Sequence, residues 1–353
     1  MALVHADNFS IYGTTVSLLT NGIYAEVSSG DVTLVNDPDG ISSGKVIHID
    51  GGYGGGGEYA LVRYVLPTIQ ANVGIGLRIW MDSLPPDTTR KMCFMQWRDV
   101  SNVPRFSVTT DTTGRLQLRS GDFDGTVLVT TTNPVISANG WYHLEGAAYI
   151  NASGTVEVRV EGNPVIEYTG DTSGNNIAQI AICNDPTSTS VSTPFYFKDL
   201  VVWDGSGTEN NDFLGSVLVV TLLPVSDVSL NWTPSTGSTG YEILDNIPPN
   251  DGVYLTAPNP APAAYVCDLS DLPEDVTSVK AVMTIVRAAK TDGGDASLQN
   301  SVISNSTDGD GLDRPITIAQ TYWRDIFETD PSTLAPWTPS AVNDMQMKMN
   351  RTS

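Results

Sequence analysis

Few cysteines, few histidines, few basic side chains, almost no helix-period patterning and no long apolar run mark this sequence, and each shortage closes off a class of function. The three cysteines, Cys93, Cys183 and Cys267, are widely spaced and odd in number. No CxxC pair is present to hold zinc and no disulfide framework is implied, so three free thiols are expected. The histidines are His5, His48 and His143, all in strand-like sequence, which leaves little material for a catalytic triad. No stretch reaches the length of a membrane span, and the opening "MALVHADNFSIYG" has neither a basic n-region nor an apolar h-region. No membrane insertion is expected, and synthesis and folding in a cytosol are. With 18 basic against 40 acidic side chains the formal charge is −22, a field that repels nucleic acid and anionic lipid. No nucleic-acid partner is expected, and the acidity reads as a solubility feature.

What is present points to β structure. The 353 residues suit two domains of common size, with 40% hydrophobic and only 16% charged residues and a polar complement rich in Thr, Ser, Asn and Gly. In "ANVGIGLRIWMDSLPP" the residues Val73, Ile75, Leu77, Ile79 and Met81 share one face while Arg78, Trp80 and Asp82 share the other. In "TVEVRVEG" Val156, Val158 and Val160 point inward and Glu157, Arg159 and Glu161 form a solvated row. "RFSVTTDTTGRLQLRSG" reads as a hairpin about an Asp-Thr-Thr-Gly turn. The best helix candidate is the short "WTPSAVND", with Thr338 as cap and Pro339 at the first helical position.

The Gly-, Ser- and Asn-rich link after "FYFKDLVVWD" places a domain boundary near residue 210, giving domains 1–210 and 211–353. In the second, strands are expected at "SVLVVTLL", "VSLNW", "AAYVCDL", "SVKAVMTIVRAA", "ASLQNSVIS" and "YWRDIFETD", with Val279 to Arg287 as a central strand covered on both sides. The terminal run Met345 to Asn350 places three methionines on one side as core filling and is expected at a sheet edge, where it can pair with a neighbouring chain.

The segments "DNFSIYG", "GIGLRIWMDSLP", "DTTGRLQLR", "GWYHLEGAAYINASGTVEVRVEG" and "FYFKDLVVWD" resemble the concanavalin A-like, laminin G-like jelly roll over about the first 205 residues. With "NNDFLGSVLVVTLLP", "DLPEDVTSVKAVMTIVRAAK" and "IFETDPSTLAPWTPSAVNDMQ" the chain resembles tailed-bacteriophage structural proteins in which such a jelly roll precedes a second β domain. The resemblance implies an all-β protein of two β-sandwich domains, the first a jelly roll. It further implies a non-enzymatic virion component on the capsid or tail surface, made in the host cytoplasm and docked through its second domain. Other virion proteins, further copies of itself and host-surface glycans are the implied partners, and no cofactor is implied. The alternatives are a carbohydrate-binding module of a bacterial surface protein and, third, a glycan hydrolase or lyase.

Individual motifs carry weaker chemistry. "GGYGGGG" lies between strands and has no following helix, so it reads as a hairpin loop rather than a phosphate loop, with Tyr53 at its tip as a contact candidate. "GISSG" has the GxSxG spacing around Ser42 without the strand-to-helix turn of a nucleophile elbow. Glu157 and Glu161 alternate on one strand as glycosidase carboxylates do, but Arg159 stands between them, and Asp325, Glu328 and Asp330 split across faces. Asp308, Asp310 and Asp313 in "STDGDGLDR" are oxygen donors for a candidate calcium site that lacks the distal bidentate Glu. Trp80, opposite the apolar face of its strand, either stacks on a sugar or packs under a second layer.

Overall fold

The structure is a computed structural model that describes residues 2–28, 31–40, 44–50, 60–88, 91–184, 194–259 and 261–353. The chain is all-β and divides into two compact units, Met1–Val219 and Val220–Ser353.

The first unit is a jelly-roll sandwich of two antiparallel sheets. Its front sheet runs, in spatial order, Asn163–Gly170, Gly154–Val160, Tyr142–Tyr149, Asn72–Met81, Phe195–Asp204, Lys45–Ile49 and Val32–Asn36, with Leu3–Asp7 also pairing Phe195–Asp204. The back sheet runs Thr126–Thr130, Leu116–Ser120, Pro104–Thr110, Met92–Asp99, Ile177–Asn184, Ala60–Gln70 and Glu26–Val27. Period-2 alternation assigns the faces as the sequence predicts: Val73, Ile75, Leu77, Ile79 and Met81 are fully buried while Arg78 and Trp80 are half-buried on the other side. The inner faces interlock through large side chains. The Trp97 indole donates to the carbonyl of Val73 at 2.9 Å, and Phe94 meets Phe195 edge-on at 5.3 Å. Each such fully buried apolar side chain contributes about 1.5–3 kcal/mol. In the predicted hairpin Val108 pairs with Leu118, and the Asp111 carboxylate closes the turn by accepting from the backbone N–H groups of Thr113 and Arg115.

One irregularity governs the outer face of the front sheet. The strand Phe195–Asp204 carries a bulge at Asp199, whose φ is 52°, so Tyr196 and Lys198 point outward before it and Val201 and Trp203 after it. Beyond the bulge the face is covered by residues 205–219, an irregular strap. The Glu145 carboxylate, fully buried, accepts from Leu214 N at 2.8 Å and Gly215 N at 3.1 Å. Asp199 accepts from Val219 N at 3.1 Å, and Arg78 donates to Ser216 Oγ at 2.8 Å. Phe213 lies 6.0 Å from Trp203 with the Arg159 guanidinium 3.8 Å above its ring. Gly74 is required beneath this cover, because a Cβ there would fall 1.9 Å from the Trp203 ring. Residues 211–219, expected to open the second domain, therefore belong to the first unit: buried carboxylates of the front sheet accept from the N–H groups of Leu214, Gly215 and Val219.

The second unit packs a six-stranded sheet against a two-stranded ribbon. The sheet order is Pro224–Leu230, Ala263–Leu269, Gln346–Arg351, Ser297–Ser304 and Thr307–Gly309, with Arg314–Pro315 pairing Ser297–Ser304, and the ribbon joins Val282–Ala288 to Thr321–Phe327. A further short ribbon joins Thr233–Pro234 to Leu255–Thr256. Tyr265, Cys267, Leu298 and Met349 of the sheet meet Val286, Ala288 and Trp323 of the ribbon.

Three expectations are corrected here. The terminal strand is central, not at an edge: Met347 stands between Cys267 and Val302, so both of its hydrogen-bonding sides are used. Val279–Arg287 is not a covered central strand, because its strand Val282–Ala288 has a single neighbour and only Val282 and Thr284 are buried. The run at 216–223 forms no strand. The short helix forms as predicted over Pro339–Asn343, with Thr338 Oγ1 accepting from Ala341 N at 3.1 Å. Among the described residues no helix is long and apolar enough to cross a membrane. All three cysteines are free, yet Cys93 and Cys183, distant in sequence, are register partners on adjacent back-sheet strands.

Candidate functional site

The strap stops at the bulge, and the outer face before it carries a row of half-buried rings across adjacent strands. Tyr196 is the register partner of Trp80 on one side and of His48 on the other. Because Tyr142 pairs with Ile79, Trp141 flanks Trp80 and extends the row. The Trp80 and Trp141 centroids are 6.0 Å apart at 55°, and His48 stacks on Tyr196 at 4.6 Å and 29°. Carboxylates pin the polar atoms of three of these rings, and the Thr33 hydroxyl meets His48 Nδ1 at 3.3 Å. Asp82, exposed, accepts from the Trp80 indole and from the Tyr196 hydroxyl, each at 3.0 Å, and Asp37 accepts from the Trp141 indole at 3.1 Å. Burial, then the hydrogen bond to Asp82, pushes the Tyr196 phenol up to about 12, so it stays a donor at neutral pH. Burial lowers His48, with Asp50 and Asp82 acting in the opposite sense.

A charged row lies between the rings and the strap. The Lys198 ammonium pairs with Asp37 and sits 4.2 Å from the centre of the Trp141 ring. Arg78 Nε lies 3.7 Å from Asp199 Oδ2. Burial raises Asp199 to about 6, against the Val219 N–H and the charges of Lys198 and Arg78, which favour the carboxylate. His143, the register partner of Arg78, has no exposed surface and neither ring nitrogen has a hydrogen-bond partner among the described residues. Burial, and secondarily the Arg78 charge, lowers it to about 4, so the ring is neutral at pH 7.

Such a face can do two things chemically: stack apolar ring surfaces on a flat ligand and exchange hydrogen bonds with its hydroxyls through Asp82, Tyr196 and Ser216. The carboxylates that form it hold indole, phenol or ammonium groups.

Of the residues singled out in the sequence, Trp80 stands in this row, half-buried and tilted against Trp141. Tyr53 and Ser42 lie outside the described residues. Glu157 is bonded by Arg159 at 2.6 Å, and Glu161, exposed, accepts from His143 N at 2.7 Å. Asp325 accepts two bonds from Arg314, at 2.7 and 2.8 Å, and Asp330 accepts from Ser332 N and Thr333 Oγ1. The calcium candidates do not share a centre: Asp308 is held by Lys348, Asp310 by Ser301 and Asp313 by Thr352. No cluster of three or more acidic, His or Cys side chains among the described residues is arranged to hold a metal ion. Sequence reasoning missed Trp141, Tyr196 and His48. Alternation in "FYFKDL" signals the outward side of Tyr196, but only the register shows which rings it joins.

No protein-family model matches the chain, and no curated protein matches it significantly. Among solved structures the chain is similar to an endo-β-1,4-glucuronan lyase from the fungus Trichoderma reesei, at 12% identity and a TM-score of 0.42 over 57% of this chain and 95% of that one. It is also similar to the cellulose-induced protein Cip1, at 11% identity and 0.42 over 56% and 96%, and to a GH131 β-glucanase catalytic domain from Podospora anserina, at 14% and 0.40 over 58% and 97%. At such identities the likeness is one of fold alone.

Proposed function

We propose that the first unit is a carbohydrate-binding module that binds without turnover, its contact surface being the ring row Trp141, Trp80, Tyr196 and His48. The observation that supports this reading is the row itself: four half-buried rings on the solvent side of one sheet, with the indoles of Trp141 and Trp80 and the Tyr196 hydroxyl tied down by Asp37 and Asp82, and His48 bonded to the Thr33 hydroxyl. Rings held in this way lose little freedom when a sugar docks, which favours binding. A stacked ring contributes about 1.5–2 kcal/mol, so Trp80→Ala and Trp141→Ala are each expected to weaken oligosaccharide binding at least tenfold with folding retained. Calorimetry on wild type and both variants tests it. Equal affinities would remove the row from the reading, and release of shortened or unsaturated sugars would replace binding with catalysis.

The setting we propose is the surface of a tailed-phage particle, with this unit turned outward. It rests on the sequence resemblance of "NNDFLGSVLVVTLLP" and the segments after it. Docking through a free terminal strand is no part of it, since that strand is central. Sedimentation of the chain with purified particles tests the setting, and its absence from every particle fraction would reject it.

A further inference from the structure

The charges around the ring row select among carbohydrates. Resting on the glycan-binding reading, we infer that the ligand class is an uncharged oligosaccharide, and that Asp37, Asp82 and Asp199 are the residues that reject uronic and sialic acids. Strong recognition of a sugar carboxylate comes from a cation with bonding capacity directed at the ligand. The cations nearest the rings, among the described residues, are Lys198 and Arg78, and each is already neutralised within the sheet; Arg159, under the strap end of the face, is paired with Glu157. Lys198 is wedged between the Asp37 carboxylate and the face of Trp141. Arg78 lies between Asp199 and the Ser216 hydroxyl of the strap.

The group that does face solvent beside the rings is an anion. Asp82 is exposed, and a carboxylate has about four acceptor sites, of which the Trp80 indole and the Tyr196 hydroxyl take two. The remaining sites suit sugar hydroxyls, which donate, and repel a sugar carboxylate, which cannot. Asp50 adds negative charge near His48 and Tyr196. Bringing an acidic sugar onto the row would bury like charges side by side with no unpaired cation to answer them, a penalty that separates ligands more sharply than any added contact. The chain's charge of −22 acts in the same direction at long range.

The experiment compares two sets of hexasaccharides on the intact chain by calorimetry and tryptophan fluorescence, between 20 and 300 mM NaCl. One set is neutral, of β-1,4-linked glucose and of β-1,4-linked mannose. The other is acidic, of glucuronate and of mannuronate. The expected result is neutral binding that changes less than twofold across the salt range, with acidic binding at least tenfold weaker. Asp82→Asn, at an exposed position that keeps an acceptor oxygen for Trp80 and Tyr196, is expected to narrow that gap at least threefold. Asp37→Asn, which releases Lys198, is expected to narrow it about tenfold. Tighter binding of the acidic set, weakening with salt and lost in Trp80→Ala, would overturn the ligand class and leave the ring platform standing. Failure of both sets to bind or to perturb the fluorescence would overturn the platform itself.

Discussion

Replacing His143 by Gln tests whether the imidazole buried beside the charged row stays neutral in the folded protein. In the folded protein the ring is lowered from 6.5 to about 4 by burial and then by Arg78, whereas in the unfolded chain it titrates near its ordinary value. Between those two pH values the unfolded state binds more protons, so stability rises with pH through this window and is lost as pH falls towards 4. At about 1.4 kcal/mol per pH unit the full effect is about 3 kcal/mol. Asp199 works in the opposite direction: it is raised from 3.8 to about 6, mainly by burial, so the native state holds the extra proton between those values and stability falls by about 3 kcal/mol as pH rises through them. The two contributions nearly cancel in the wild-type protein. His143→Gln removes one and leaves the other. Urea titrations of the intact chain at half-unit steps from pH 4 to 7.5 should therefore show the variant losing stability relative to wild type as pH rises, by about 3 kcal/mol over the window. Asp199→Asn should show the mirror image. Curves for wild type and His143→Gln that stay parallel across this range would refute the argument, since a histidine that titrates alike in both states cannot separate them.

Other outcomes follow from single contacts. Gly74→Ala should lower the melting temperature sharply or prevent folding, because its Cβ would meet the Trp203 ring at 1.9 Å; calorimetry or expression yield reads it. Thr338→Ala, which removes the helix cap, should cost about 1 kcal/mol in urea unfolding and leave oligosaccharide binding unchanged. The buried thiols Cys93, Cys183 and Cys267 should resist a thiol reagent in the native protein and yield a count of three once denatured; rapid native labelling would contradict the burial. A fragment ending at Val219 should melt higher than one ending at Asn210, since the shorter piece lacks the N–H groups that bind Glu145 and the ring that covers Trp203.

The parts of this fold that are legible in the sequence are those written within one strand or one turn. Alternation placed Trp80 outward and its apolar neighbours inward, and the capping pattern at Thr338 and Pro339 located the short helix, because period and cap are set by neighbouring residues. Strand order is not set that way. Met345 to Asn350 alternates as a strand whether it lies at an edge or in the centre, and its central place depends on Ala263–Leu269 and Ser297–Ser304, which lie far from it in the chain. The ring row is hidden for the same reason: Tyr196 lies 114 residues from the Asp82 carboxylate that it shares with Trp80, and nothing local to "FYFKDL" reports which strands stand beside it. The boundary was misplaced because the link after Asp204 has the Gly, Ser and Asn content of a free linker, while its function as a cover is visible only through Glu145 and Asp199.

The bulge at Asp199 explains why one sheet face is divided between a sealed part and an open one. Without it, strict alternation would continue from Tyr196 and Lys198 to residues 200 and 202, and Leu200 and Val202, now buried, would be turned to the outer side. With one residue added, Val202 returns to the core opposite Ile75, and Val201 and Trp203 come to the outer face instead. An apolar outer surface then needs a cover, which the strap supplies with Phe213 over Trp203 and Leu214 beside Glu145. The same residue also anchors both sides of the division: its carboxylate accepts from Val219 at the end of the strap and faces Arg78 in the charged row. The change of partner strand coincides with it, since Phe195 to Phe197 pair with Lys45–Ile49 and the residues from Leu200 onward pair with Leu3–Asp7. The half before the bulge keeps polar-tipped rings outward, half-buried, and needs no cover.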